Sequence, residues 1–210
     1  MQQTDKTTAF WGDLPPQLAA ELRAAAIHLK FGPGRHVFRE ADSYRGIFLV
    51  ASGYFKWYKV EGEGNEAVIK IYGCGELAGL PPLFDPTPTA RYIANLVTVR
   101  EGELVFWPAC TFRNLLKKYP DWFFTFNRYL TDTLKELAAA KTAVSLKPVR
   151  HRLEDYLVAL GAGESWVNLP MPKRQIACAL STSAETFSRA LASLKREGRL
   201  QTEQGLYRLT

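Results

Sequence analysis

Phe126, Leu130, Thr133, Leu137, Ala140 and Val144 follow one another at intervals of four, three, four, three and four residues. That is the a/d spacing of a coiled coil, and it predicts one helix over roughly Asp121 to Leu146. A helix of that length protrudes from any small domain, so the chain must either lay it along a larger core or pair it with a second copy. The second reading accounts better for the stripe, because a helix joining two domains has no other surface on which to bury it. The alternative is a core helix lying on a barrel.

What precedes the helix has another texture. Leu14, Leu18, Leu22, Ala25 and Ala26 recur at helical spacing behind an Asp13 cap and Pro15-Pro16, predicting a short opening helix from Leu14 to Leu29. Then come short apolar or aromatic runs: Val37-Phe38, Gly46 to Val50, Tyr54 to Val60, Ala67 to Tyr72, Tyr92 to Val99 and Glu103 to Trp107. Glycines such as Gly32, Gly53, Gly73, Gly75 and Gly102 punctuate them. Many short strands with Gly-rich turns predict an all-β roll, most plainly a jelly roll.

Pro148 ends the long helix, and Leu153, Tyr156, Leu157 and Leu160 resume a helical face from Val149 onward. The expected organisation is therefore α+β: an N-terminal jelly-roll domain over 1–120, a dimerisation helix over 121–146 and a C-terminal domain over 147–210. The formal net charge is +6, and in the C-terminal domain lysines and arginines outnumber acids. Clustered cations gain by releasing counterions from a phosphate backbone, which points to an anionic partner.

Within that domain, Lys173 to Leu180 reads as a short helix, Ser181-Thr182 as a tight turn, and Ser183 to Glu197 as a second helix. Phe187, Leu191 and Leu194 give the second helix an apolar face, and Ala184, Glu185, Ser188 and Arg189 lie opposite. Arginine can bond guanine O6 and N7 together, glutamate can accept from cytosine N4, and serine is a short donor or acceptor. Thr182-x-x-Glu185 also fits a capping box, which gives Glu185 a second, structural role. The run Leu200 to Leu209 around Gln204-Gly205 reads as a hairpin, the wing of a winged helix. Lys173, Arg174 and Arg208 are placed for contacts to the DNA backbone, with Ser183, Thr186 and Arg196 as further candidates.

With a β-roll, a long helix and a winged helix-turn-helix in this order, the chain resembles the CRP/FNR family of bacterial transcription regulators over nearly its full length. Glu185-Thr-Phe-Ser-Arg189 resembles that family's recognition helix. The resemblance implies that Glu185, Ser188 and Arg189 contact bases, that the protein works as a homodimer on palindromic DNA, and that RNA polymerase is a partner. Serine at 188 is similar to the FNR branch, whose half-sites contain TTGA. The family usually has glycine at the position of Ser181, where the backbone is left-handed.

The sensor departs further from the pattern. Gly75 to Phe84 resembles the family's phosphate-binding cassette, and Arg91 falls near the arginine that neutralises a cyclic phosphate. This makes Gly79, Leu80, Pro81 and Arg91 the expected effector pocket. However, Leu80 stands where cyclic-nucleotide binders have a glutamate for the ribose, and Pro81-Pro82 lack two backbone donors. Both changes argue against cyclic AMP. An FNR-type iron-sulfur cluster lacks its cysteine group, because only Cys74, Cys110 and Cys178 exist, and these read as buried free thiols. Haem remains an alternative, with His28, His36, Cys74 or Cys110 as ligand. So does an unknown small-molecule effector lodged among Tyr54, Phe55, Trp57, Tyr58 and Tyr72, residues that equally suit a barrel core.

An enzyme reading finds little support. His28, His36 and His151 are dispersed rather than paired as in a metal-dependent cupin, and no catalytic triad order or Walker loop is present. A C-terminal domain that binds a protein partner instead of DNA is the remaining rival. With no apolar leader in Met1 to Phe10 and no run long enough for a membrane span, the expected location is the cytoplasm.

Overall fold

The computed structural model describes residues 10–12, 14–62, 65–85, 87 and 89–210. The Asp13 cap and nearly all of the polar N-terminal segment expected to lack a leader lie outside them. The fold is α+β, an N-terminal β-domain followed by a long helix and a C-terminal helix-turn-helix domain.

The opening helix α1 (Pro16–Ala24) is shorter than the spacing predicts. Ile27, Leu29 and Phe31 alternate with His28 and Lys30, and the segment pairs as strand β1 (Ile27–Phe31) with β8 (Gly102–Pro108). Strand pairing across the sheet overrides a helical spacing that persists by chance into Ala25 and Ala26.

Two antiparallel four-stranded sheets form the roll. One has the order β1-β8-β3-β6, with β3 at Gly46–Ser52 and β6 at Leu77–Ala78. The other has the order β2-β7-β4-β5, formed by His36–Phe38, Asn95–Thr98, Phe55–Glu61 and Asn65–Tyr72. Alternation along β3 and β8 explains the layers. Phe48, Val50 and Leu104 point between the sheets, while Ile47, Leu49, Val105 and Trp107 point to the opposite face. Successive side chains of a strand point to opposite faces, so a strand buried on both needs a near-continuous apolar run. The outer face is covered by α1, by α2 (Ala109–Lys118) and by the start of the long helix α3 (Pro120–Leu146). Trp107 locks the layers, its indole N–H donating to the Leu22 carbonyl at 2.8 Å. Gly46 is required at the junction, because a Cβ there would lie 2.0 Å from the Trp107 carbonyl oxygen.

The aromatic residues considered for an effector pocket are mostly core: Phe55, Trp57 and Tyr72 lie between the sheets, and Tyr58 is buried. The three cysteines are not the buried thiols expected: Cys110 is exposed, and Cys74 and Cys178 are half-buried.

Beyond α3, helices α4 (Val149–Ala159), α5 (Lys173–Ala179) and α6 (Ala184–Arg196) enclose a second core with the small sheet β10-β11-β9, at Leu200–Glu203, Leu206–Leu209 and Val167–Asn168. Tyr54, Ile71 and Val99 of the roll pack against that core. Among the described residues no helix is long and apolar enough to cross a membrane.

Candidate nucleic-acid interface and sensor site

Pro172 opens α5 with its fixed φ of −54°, and Ile176 and Ala177 anchor the helix in the core. Ser181 then takes a φ of +51°, the left-handed conformation expected at the turn. The Thr182 N–H closes the turn on the Ala177 carbonyl at 3.0 Å. Helix α6 starts at once: the Ser183 Oγ accepts from the Thr186 N–H at 3.1 Å. This replaces the predicted Thr182/Glu185 capping box. Ser183 is the N-cap, so Glu185 falls one residue short of the position from which a box can close.

Phe187, Ala190, Leu191 and Leu194 recur at three, four and seven residues and bury one face of α6. Glu185 and Arg189 therefore project to solvent, 79% and 70% exposed, with 3.9 Å between carboxylate and guanidinium. Ser188 is exposed beside them. The helix ends in a Schellman arrangement: Gly198 at φ +72° donates to the Lys195 carbonyl at 3.1 Å, and Arg199 donates to Leu194 at 2.9 Å. The wing turn has positive φ at both Gln204 and Gly205, as a two-residue hairpin of this twist demands.

The basic residues divide by what they touch. Arg150 and Arg199 are tied to Glu197 and Glu154. Among the described residues no carboxylate pairs with Lys173, Arg174, Arg196 or Arg208, all exposed. Ser183 and Thr186 are engaged with each other, their hydroxyls 2.9 Å apart, and Arg189 reaches the Thr186 hydroxyl at 3.3 Å.

The residues named for an effector pocket have separate surroundings. Leu80 is buried in the core outside the roll, and Pro81 opens a 3₁₀ turn, Pro81–Phe84. Arg91 is exposed, its guanidinium donating to the Ala41 carbonyl at 2.7 Å. The Gly79 carbonyl accepts from the Tyr44 hydroxyl at 2.9 Å. Tyr92, which sequence reasoning passed over, fills the space beside Gly79: its ring stacks on Phe38 at 3.7 Å and its hydroxyl donates to the Gly46 carbonyl at 2.9 Å. Burial raises the pKa of both tyrosines, Tyr92 against the opposing pull of its bonds to Gly46 and Arg45.

A cavity of about 270 Å³ lies between Leu77, Trp122, Phe126, Tyr129 and Thr133. At its rim Lys70 Nζ stands 3.0 Å from Glu76 and 2.5 Å from Glu136. The four candidate haem ligands sit on separate elements. His28 lies on β1, Cys110 on α2, His36 bonds the Tyr58 hydroxyl at 3.1 Å, and Cys74 turns to the Ala51 carbonyl at 3.0 Å. Among the described residues no group of three or more His, Cys, Asp or Glu could hold a metal ion.

The open line of the long helix shares Leu130, Leu137 and Val144 with its predicted seam and leaves out Phe126, Thr133 and Ala140. Phe126 is 2% exposed and belongs to the sensor core, packed on Phe112 and Trp122. Leu130 packs against the same core, and Thr133 and Leu137 are half-buried. The large apolar side chains left open along the helix include Phe123, Leu134 and Val144, 41%, 67% and 43% exposed. Phe123, Asn127, Leu130, Leu134, Leu137, Lys141 and Val144 then form a line with alternating intervals of four and three.

Residues 28–119 match the model of the cyclic nucleotide-binding domain, and residues 151–210 that of the Crp-like helix-turn-helix domain. The transcriptional activatory protein AadR of Rhodopseudomonas palustris is 24% identical over 90% of this chain and 80% of its own length. The cyclic AMP receptor protein of Thermus thermophilus is 26% identical over 79% and 75%. Among solved structures, FixK2 from Bradyrhizobium japonicum superposes with a TM-score of 0.77 at 16% identity, covering 88% of this chain and 92% of its own.

Proposed function

From a chain that belongs to the CRP/FNR family of transcription regulators, we infer a homodimer that reads a palindromic DNA site with α6 in the major groove. The observation that carries this reading is the pair Glu185 and Arg189, extended to solvent on the first turns of a helix whose other face is locked in the core. Glu185, Ser188 and Arg189 contact bases, and the half-sites are TTGA-like. Lys173, Arg174, Arg196 and Arg208 hold the phosphates, and the hydroxyls of Ser183 and Thr186 add weaker contacts once Arg189 leaves Thr186 for a base.

Two copies join along Phe123, Asn127, Leu130, Leu134, Leu137 and Val144, which buries apolar surface that one copy leaves open. Segments 1–120, 121–146 and 147–210 act as sensor, coupling helix and reading head, in the cytoplasm and together with RNA polymerase. The signal enters through the sensor and is not cyclic AMP. The side chains of Leu80 and Pro81 offer no polar partner to a ribose or phosphate, Arg91 is engaged with Ala41, and Tyr92 fills the neighbouring space.

The test is fluorescence anisotropy of the purified chain on a duplex with a TTGA palindrome and on a scrambled duplex, at several salt concentrations. Tighter binding to the palindrome, lost in Arg189→Ala, is the expected result. Equal affinity for both duplexes, or binding insensitive to salt, overturns the reading.

A further inference from the structure

Three large apolar side chains lie at the N-terminal end of the long helix and stay open to solvent in a single copy of the chain. They are Phe84, Phe123 and Phe124, 47%, 41% and 78% exposed. Single exposed apolar residues are ordinary on a surface, whereas a contiguous patch of large ones marks an interaction site. Phe84 closes the 3₁₀ turn Pro81–Phe84 and stands edge-on to Phe123, with ring centroids 6.2 Å apart, and 6.0 Å from Phe126. Beside it lies a cleft of about 430 Å³ between Leu83, Phe84, Leu116 and Phe123. The cleft is preformed. Arg113 Nε donates to the Leu83 carbonyl at 2.6 Å, which ties the turn to α2, and Pro81 and Pro82 fix the backbone of the turn. A rigid cleft loses little conformational freedom when it is filled.

The register of α3 says what fills it. Along the open line, the steps of four and three residues make Phe123, Leu130, Leu137 and Val144 d positions and Asn127, Leu134 and Lys141 a positions. Phe124 is then an e position and Phe126 a g position. Two reading heads on neighbouring half-sites need a parallel pair of helices, and in a parallel pair the e flank of one copy faces the g flank of the other. Phe124 precedes Phe126 by two residues, a rise of about 3 Å, so the partner's Phe124 arrives at the level of Phe126. Phe126 is itself buried, and the open ring packed beside it is Phe84. We propose that Phe124 of each copy inserts beside Phe84 of the other, so that the dimer is held by the turn Pro81–Phe84 of the sensor as well as by the helical seam.

This inference rests on the parallel dimer of the proposed function and carries its interface beyond α3. The cleft shares Phe123 with the seam, so the two surfaces are continuous. Aromatic side chains seated in pockets contribute most to such interfaces, and paired rings add to the area they bury. Phe84 also ends the run Gly75 to Phe84 expected to face an effector. A movement of that turn in one sensor then bears directly on the helix of the other copy.

Sedimentation equilibrium of the full chain, without DNA, tests the contact. Phe124→Ala, at a position open to solvent in the protomer, should leave the circular dichroism spectrum unchanged and weaken the dimer by about tenfold or more. Phe84→Ala should weaken it to a similar extent. The double variant should lose no more than either single variant, because both remove the same contact. Phe84→Ala also strips packing from Phe126, so Phe124→Ala decides the matter if the former does not fold. A chain that stays monomeric at every concentration overturns the dimer of the proposed function and this contact with it. A dimer that tolerates Phe124→Ala overturns the contact alone, as do losses that multiply in the double variant.

Discussion

Lys70 on β5 and Glu136 on α3 meet at 2.5 Å, the ammonium lying between that carboxylate and Glu76 on the turn before β6. This links the roll to the long helix through a charged group that is only 12% exposed. The two carboxylates are unequal. Glu76 is 17% exposed and also accepts from the Gly73 N–H at 2.6 Å, whereas Glu136 is 59% exposed. Removing a partner from a buried charge costs more than breaking a surface pair. Glu76→Ala should therefore lower unfolding stability by about 1–3 kcal/mol, and Glu136→Ala by about 0–1 kcal/mol, in urea titrations. Equal losses would mean that the buried arm is no stronger than the exposed one.

The register of α6 predicts a second asymmetry. Ser183→Ala removes the acceptor for the Thr186 N–H and should cost about 1 kcal/mol, while Ser183→Asp should retain most of it. Thr182→Ala should have little effect, since Thr182 caps nothing. Urea melts of the three variants check this, and a larger loss at Thr182 would restore the capping box that the spacing of Thr182 and Glu185 suggests.

Both domains are legible where a local pattern coincides with the tertiary one. Phe187, Leu191 and Leu194 sit at helical spacing and are buried, and Ser181 stands at the position where left-handed backbone is expected. The long helix is legible as a helix, but not in its facing. Phe126 satisfies the heptad spacing and equally the aromatic cluster around Phe112 and Trp122, and sequence spacing cannot say which neighbour claims a side chain. The sensor is least legible. Tyr92 and Tyr44 act across the chain on Gly46 and Gly79, pairings that no short window contains.

The facing of the helix is testable. Leu134→Glu places a charge on an exposed position and should leave the folded protomer intact while dispersing the dimer in sedimentation velocity. Phe126→Ala should instead destabilise the fold by about 3–5 kcal/mol, because it empties a core site. The opposite pattern would return Phe126 to the seam.

Alkaline unfolding should be steep. Tyr44, Tyr72, Tyr129 and Tyr156 are all held above the ordinary tyrosine range by burial. Above pH of about 10 the unfolded chain releases these protons and the folded chain does not. The unfolded state then binds fewer protons, so stability falls as pH rises. Tyrosinate absorbance should appear together with loss of structure. Four phenols that titrate freely in a still-folded protein would contradict their burial.

The proposed reading of DNA assigns position and specificity to different residues. Arg189, held on its own helix by Thr186 and Glu185, is the proposed base contact and Lys173 a proposed phosphate contact, and removing them should have effects that differ in kind. Arg189→Ala should cost about 1–3 kcal/mol on the palindrome and far less on scrambled DNA, since a bidentate bond to guanine is worth that much in discrimination. Lys173→Ala should weaken both duplexes alike and flatten the plot of log affinity against log salt by about one unit, as expected when one phosphate is left without its cation. If Lys173→Ala changed discrimination while leaving the salt slope intact, the division between the free cations and the α6 face would be wrong.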